Sequence, residues 1–325
     1  MKTCIVGAGA IGVFFGARLA AASSDVAALA RGKTAQALRK HGWRLETGGE
    51  LLSAPARVAE TAAELGRQDL VVIAVKAPAL PAACTAIAPL LGPATTVLTA
   101  MNGVPWWFFH GFGGAQAGMR LKSADPDGRI AAAIAPERIL GCVVHASCST
   151  PEPGMTRNAV GQRLIMGEPD GARSARLDAA AALFAAAGFE VETSDCIQRD
   201  IWYKLWGNMT MNPVSALTGA TMDRILDDEL INGFCLAVMR EAAAIGAAIG
   251  CPIAQSGEDR NAITRKLGAV KTSMLQDVEA GRPVEIDALL SVPREIGVAV
   301  GVPTPYLDSL LGLSRLQAQT RGLYR

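Results

Sequence analysis

The sequence is poor in metal-binding side chains. Only three histidines, His41, His110 and His145, occur among 325 residues, and their separation matches no metal-ligand spacing. Seven cysteines are scattered at positions 4, 84, 142, 148, 196, 235 and 251, with no C-x-x-C among them. An odd, scattered set reads as reduced thiols filling core positions, not as a disulfide framework. Charge is also scarce, at 19% of residues with a formal net charge of +1. That excludes the basic excess of a nucleic-acid-binding surface, and no run of like charges is long enough to be a tail. No stretch reaches the ~18 uninterrupted apolar residues of a membrane span. The opening MKTCIVGAGAIG runs straight into a strand pattern, without a basic region ahead of a long apolar one, so no leader peptide is expected. The expectation is a soluble cytoplasmic protein with neither a nucleic-acid nor a membrane partner.

What is present is apolar material in ordered patterns. Half of the chain is hydrophobic, ample for one large or two ordinary cores. In the first third, short apolar runs alternate with helical patterns. Thr3–Val6, Asp25–Leu29, Leu70–Val75 and Thr95–Thr99 read as strands, and Ile11–Ala22 and Lys33–His41 as helices. Bare runs such as LVVIAV suit strands buried on both faces, and the alternation predicts a parallel, doubly wound sheet. Arg138–Ser149 and Arg163–Gly167 continue as strands around a turn at PEPG, and Ala172–Ala187 as an alanine-rich helix closed by Gly188. Residues 110–130, glycine-rich and polar, read as a long loop. From about Asp195 the pattern turns helical, with breaks at Asn212-Pro213, Gly250–Pro252, Gly281–Pro283 and Gly301–Pro303. A boundary there divides the chain into an α/β domain, 1–194, and an all-α domain, 195–325.

The first strand is followed by Gly7, Gly9 and Gly12, spaced G-x-G-x-x-G, at the opening of a helix. In that context the glycines have physical work. Gly7 permits the tight turn, Gly9 lets a pyrophosphate approach the backbone, and Gly12 lets helix and strand pack closely. The helix N-terminus faces the phosphates. Where an NAD site would place an acid after the second strand, this chain has Arg31 and Lys33. A guanidinium pairs with a 2′-phosphate that a carboxylate would repel, so NADP(H) is the expected cofactor. For Arg31 the plain alternative is an ordinary solvated side chain. Lys76 and Asn102 each follow a predicted strand, at the carboxyl end where doubly wound sheets bind ligands, although Asn102-Gly103 is equally a plain turn.

The stretch KLWGNMTMNPVSAL places Lys204, Asn208 and Asn212 at i, i+4 and i+8, along one face of a helix whose other residues are Leu, Trp, Met and Val. Desolvation lowers a lysine pKa from ~10.4 towards the range useful for proton transfer. The amides add hydrogen bonding without a competing charge. Either the stripe lines a cleft or it simply faces water. Further on, Ser273, Met274, Gln276 and Asp277 form one turn region. Glu285 and Asp287 follow Pro283, as acids suit the first turn of a new helix.

Taken in order, GAGAIG, the VKA at 75–77, the NGV at 102–104, K-x-x-x-N-x-x-x-N-P at 204–213 and SMLQD…EID at 273–287 resemble the ketopantoate reductase (2-dehydropantoate 2-reductase) family over nearly the whole chain. The resemblance implies a Rossmann-type domain followed by an all-helical domain like the C-terminal part of 6-phosphogluconate dehydrogenase. It also implies an NADPH-bound cleft and reduction of a small 2-oxo acid to D-pantoate. It makes Lys204 the catalytic acid and Glu285 a second catalytic group that reaches cofactor and substrate. Asn102, Asn208, Asn212 and Ser273 become substrate contacts, with Ser273 on the carboxylate. The loop Gly7, Ala8, Gly9, Ala10, Ile11 and Gly12, together with Arg31, Lys76, Asn102 and the backbone of Ala146, becomes the NADP(H) site. The aromatic stretch 106–109 departs from the polar segment common in the family, as does the long loop after it. The aromatics either form core or cover the substrate pocket. Reduction of another bulky 2-oxo acid, or a non-catalytic NADPH sensor, are the competing readings. The apolar helical domain is compatible with a homodimer.

Overall fold

The computed structural model describes residues 1–112 and 114–324. Two compact units emerge: Met1–Met101 with Gly128–Ile197, and Asn102–Asp127 with Gln198–Arg325. The second unit therefore takes a segment that the sequence reading placed in the first domain. Its reason is tertiary. Val104 N–H donates to Ala288 O at 3.0 Å, Gln198 Nε2 donates to Phe108 O at 3.3 Å, and the Phe108 ring lies 6.1 Å from that of Trp202.

The first unit is one mixed sheet with helices. Its strands are β1 (Thr3–Val6), β2 (Val26–Leu29), β3 (Trp43–Thr47), β4 (Glu50–Ala54), β5 (Arg57–Ala59), β6 (Gln68–Ile73), β7 (Leu91–Thr99), β8 (Ile139–Ser149), β9 (Met155–Gly167) and β10 (Glu190–Thr193). The helices are α1 (Ala10–Ala21), α2 (Gly32–His41), α3 (Leu80–Ala86), α4 (Arg129–Ala133) and α5 (Ala175–Ala186). The strand order is β4-β3-β9-β8-β7-β6-β1-β2-β5, with β10 also on β9. The pairs around β1 are parallel, whereas β3–β4 and β8–β9 are antiparallel. The sheet is thus doubly wound at its centre and mixed at one end. Strands β3, β4, β5 and β10 occupy stretches where the sequence reading placed none.

Helix α1 is apolar on nearly every side and sits in the core. Phe14, Phe15, Phe184 and Phe189 meet edge to face there, with ring centroids 5.1–5.6 Å apart. Arg18 caps this cluster, its guanidinium 5.3 Å from the Phe14 and Phe189 ring centres. All seven cysteines are free thiols, five of them buried. Burial pushes the Cys4 and Cys235 thiols up to about 12, which makes them inert packing groups.

The second unit is helical: α6 (Ile197–Thr218), α7 (Met222–Asp227), α8 (Glu229–Ala248), α9 (Gly257–Arg265), α10 (Ser273–Glu279), a π-helical turn Asp287–Ser291 running into α11 (Val292–Ala299), and α12 (Pro305–Thr320). The break expected at Asn212-Pro213 does not occur, since α6 continues through Pro213. An interior proline costs about 3 kcal/mol. Burial of Met209, Met211, Val214 and Ala216 on either side of it offsets that cost. Helix α6 is also tied to α8, where the Trp202 and Trp206 indole N–H groups donate to Ala242 O and Met239 O at 3.1 and 2.8 Å. Helix α8 is long and apolar enough to cross a membrane by length and composition alone, a test that a core helix also passes.

The aromatic stretch settles as core. Trp106, Trp107, Phe108 and Phe109 are all buried, in turns instead of a helix, with Phe108 N–H donating to Pro105 O and His110 N–H to Trp107 O. The described residues of 110–128 are mostly irregular, with a short helical turn at Gly114–Gln116, and α4 begins at Arg129. Gly113 lies outside the described residues.

Candidate functional site

In the first unit Gly7, Arg31 and Lys76 gather at the carboxyl ends of three adjacent interior strands. Strand β1 is flanked by β2 and β6, with Val6 level with Leu29 on one side and Ile73 on the other. The chain runs from β1 outward through β2 and later through β6 and β7, so the strand order reverses at β1. Such a reversal opens a crevice beyond the carboxyl ends. Gly7, Arg31 and Lys76 leave these three strands at that end. Gly7 has φ +94°, and a Cβ there would press on Val75. A Cβ on Gly12 would land on the Gly7 carbonyl oxygen, whereas one on Gly9 would meet nothing within 4 Å. The two outer glycines are therefore fixed by the protein's own packing. The middle one faces open space, as an approaching diphosphate requires.

Gly9 is the N-cap of α1 and carries no side-chain cap, which leaves the first-turn N–H groups of Ala10, Ile11 and Gly12 available to an anion. Arg31 is the exposed N-cap residue of α2, and Lys76 is an exposed residue just after β6. Ala8 is buried, and Ile11 and Ala146 are partly buried against the same core. Ala146 sits where the β8–β9 register shifts, between His145 and Ser147, and such irregularities re-aim the local backbone.

In the second unit, Lys204 Nζ donates to Asn102 Oδ1 at 2.8 Å, a part-buried bond across 102 positions of sequence. Helix α6 is buried on most faces. Lys204 and Asn208 are partly exposed and Asn212 is 7% exposed, so the polar stripe is a narrow opening in an otherwise apolar helix. The backbone just after Asn102 is held as well. Gly103 has φ +79° and packs so closely on Ala288 that a Cβ would collide with its carbonyl. The neighbouring Val104 N–H donates to that same oxygen. Ala288 belongs to the π-helical turn. Such turns rearrange backbone carbonyls and recur at functional sites.

Glu285 lies partly buried just ahead of this turn, and its flanks are pinned. Val284 N–H donates to Leu323 O at 3.2 Å. Asp287 Oδ1 accepts from Tyr324 Oη at 2.7 Å and from Ser291 Oγ at 2.8 Å. Ser273 is the exposed first residue of α10, whose N-cap Thr272 accepts from Leu275 N–H. Asp277, only 2% exposed, accepts from Arg282 Nε at 3.0 Å and folds the chain back through Arg282 N–H to its own carbonyl. It therefore shapes the link between Ser273 and Glu285. Asp277 stands out in the sequence without this role, and Tyr324 does not stand out at all, because neither bond leaves a local pattern.

Tyr324 offers a direct test of this clamp. Burial first, then its hydrogen bond to Asp287, pushes its phenol up to about 12. The phenol's folded pKa exceeds its unfolded value of ~10. Its stabilising contribution is thus complete below pH ~10 and lost as pH rises towards 12. Tyr324→Phe should lower stability by about 1 kcal/mol near neutrality. The difference in Tm from wild type should then shrink as pH climbs above 10. A difference that stays constant with pH would contradict the bond.

Two family models match the chain. The one described as ketopantoate reductase PanE/ApbA covers residues 3–106, and the one described as ketopantoate reductase PanE/ApbA C terminal covers 196–318. A 2-dehydropantoate 2-reductase of Mesorhizobium japonicum is 46% identical over the whole of both chains. Among solved structures, a candidate ketopantoate reductase of Ralstonia solanacearum is 61% identical with TM-score 0.96, covering 99% of each chain. The 2-dehydropantoate 2-reductase of Geobacter metallireducens is 27% identical with TM-score 0.86, covering 98% of this chain and 100% of its own. Full-length identity of this order, with a fold shared over 98–99% of the chain, leaves one assignment: the chain belongs to the ketopantoate reductase family.

Proposed function

We propose that the protein reduces 2-dehydropantoate to D-pantoate with NADPH. The observation that carries this reading is the Lys204 ammonium held on Asn102 at 2.8 Å, at the head of a polar stripe on a buried helix. The glycine loop, Arg31 and Lys76 fit a dinucleotide, since Gly9 opens onto free space and the first turn of α1 is uncapped. In this reading Gly7 to Gly12 take the diphosphate, Arg31 and Lys76 the 2′-phosphate, and the Ala146 backbone the cofactor's flank. When bound, the dihydronicotinamide supplies a hydride.

The chain's own residues do the rest. Asn208, Asn212 and Ser273 hold the 2-oxo acid, Ser273 by its carboxylate. Asn102 orients Lys204. As negative charge grows on the carbonyl oxygen, the Lys204 ammonium stabilises it and delivers a proton from Nζ. Glu285, steadied by the Leu323 and Tyr324 contacts, hydrogen-bonds the substrate beside Lys204. The alcohol product keeps the proton, and Lys204 is recharged from solvent.

The test is the fall in NADPH absorbance with 2-dehydropantoate beside a panel of 2-oxo acids of different branching. A kcat/KM preference of at least ~10-fold for 2-dehydropantoate is expected, since one methylene in a pocket is worth about that much. Similar values across the panel would replace this substrate with a broader class of bulky 2-oxo acids. Arg31→Ala tests the cofactor. It should weaken NADPH ~10–100-fold, the worth of a charged hydrogen bond, and leave NADH nearly unchanged. Equal losses for both would remove the 2′-phosphate contact.

A further inference from the structure

The proposed site has a charge problem. Of the residues assigned above to the 2-oxo acid, Lys204 is the only cation, and the reaction commits it to the carbonyl oxygen. Glu285 is an anion. The substrate carboxylate is then met only by neutral groups, Ser273 and the amides. A carboxylate leaving water needs a counter-charge or several strong donors.

The structure contains an uncommitted cation beside the polar stripe. Arg260, on α9, is partly buried. Its guanidinium lies flat against Gly207 of α6. A Cβ on Gly207 would sit 3.0 Å from Nη2, 3.3 Å from Nε and 3.4 Å from Cζ. The same group stacks 5.6 Å from the centre of the Tyr203 ring, which is itself tethered by Tyr203 Oη donating to Gln255 Oε1 at 2.7 Å. Arg260 Nε is buried without a hydrogen-bond partner, and no carboxylate among the described residues pairs with the side chain. A guanidinium normally finds planar acceptors, and a buried N–H left over calls for an explanation.

Position supplies one. Gly207 is three residues after Lys204 and next to Asn208. Residues three apart on a helix are neighbours, with Cβ atoms about 5–6 Å apart. Arg260 is therefore within a side chain's reach of the stripe, pre-oriented on a platform of Tyr203 and the bare Gly207 backbone. Any side chain at 207 would have to push it aside.

We infer that Arg260 binds the carboxylate of the 2-oxo acid, supplying the charge that Ser273 lacks. This rests on the 2-oxo acid reading above. The fork of Arg260 engages a planar carboxylate, and Lys204, held on Asn102, acts on the carbonyl oxygen. The division of labour predicts discrimination by charge: a neutral 2-oxo amide of the same skeleton gains nothing from Arg260.

The experiment compares wild type, Arg260→Met and Arg260→Lys on the 2-oxo acid and on its neutral amide. NADPH affinity and Tm are measured beside them. Arg260→Met should lower kcat/KM for the acid ~10–100-fold, mainly through KM, as loss of a charge-assisted bond does. It should change the amide less than about 3-fold and leave NADPH affinity intact. Arg260→Lys should recover part of the acid preference, and it stands in where the Met variant does not fold. Equal losses on acid and amide, or a loss of NADPH affinity, would overturn the inference and make Arg260 a packing or cofactor residue. Calorimetric binding of oxamate to the NADPH-loaded protein decides the matter even where wild type fails to turn over the acid. An affinity that drops in Arg260→Met supports the carboxylate role, and an unchanged one refutes it.

Discussion

Lys204→Ala is expected to lower kcat by ~10²–10⁴-fold, the usual contribution of a positioned proton donor, while NADPH affinity stays within a few-fold of wild type. The split follows from the structure. Lys204 is a residue of α6 in the helical unit, bonded to Asn102, whereas the glycine loop, Arg31 and Lys76 belong to the other unit. Removing a partly exposed side chain from one helix leaves the loop's conformation alone. KM for the 2-oxo acid should rise less than kcat falls, because the carbonyl charge that Lys204 meets is fully developed only in the transition state. Asn102→Ala should give a milder version, about 10-fold in kcat, through lost orientation of Nζ. If Lys204→Ala abolished NADPH binding, or lowered Tm by many degrees with kcat nearly intact, Lys204 would be a structural residue.

The residues behind that prediction stand out in the sequence itself, for a physical reason. A strand buried on both faces writes a bare apolar run, as at 70–73, and a polar stripe on a buried helix writes four-residue spacing, as at Lys204, Asn208 and Asn212. What stayed hidden is of two kinds. Some features carry a local signal that is weak in part. Gly48-Gly49, both at positive φ, close a two-residue hairpin between β3 and β4, a strong turn signal. Yet β4 is mostly exposed, so its alternation is faint. Other features have no local signature. The assignment of 102–127 to the helical unit depends on partners such as Ala288 and Trp202, far along the chain. The continuity of α6 through Pro213 depends on burial that outweighs backbone preference. Arg260 is one arginine in an exposed-looking helix until Gly207 and Tyr203 are seen beneath it.

The second large effect separates two glycines that the motif treats alike. Gly9→Val should fold with a Tm near that of wild type but lose NADPH affinity by at least ~100-fold. Gly12→Val should fail to fold stably. Gly9 has φ −84° and ψ −161°, an extended conformation open to any L-residue, and its Cβ would meet no atom within 4 Å. The valine therefore costs the fold little, and its methyls fill the space through which a diphosphate would reach the N–H groups of α1. On Gly12 the Cβ itself collides with the Gly7 carbonyl, so α1 has to move off β1. Such overpacking in a core helix typically costs 1–3 kcal/mol or more, and here backbone, not a flexible side chain, has to yield. Cofactor binding would be lost in both variants but for different reasons. Circular dichroism and Tm, measured beside NADPH titration, tell them apart. A Gly9→Val protein that still binds NADPH as wild type does would place the diphosphate elsewhere. A Gly12→Val protein with wild-type Tm would show that helix and strand do not approach as closely as the structure has them.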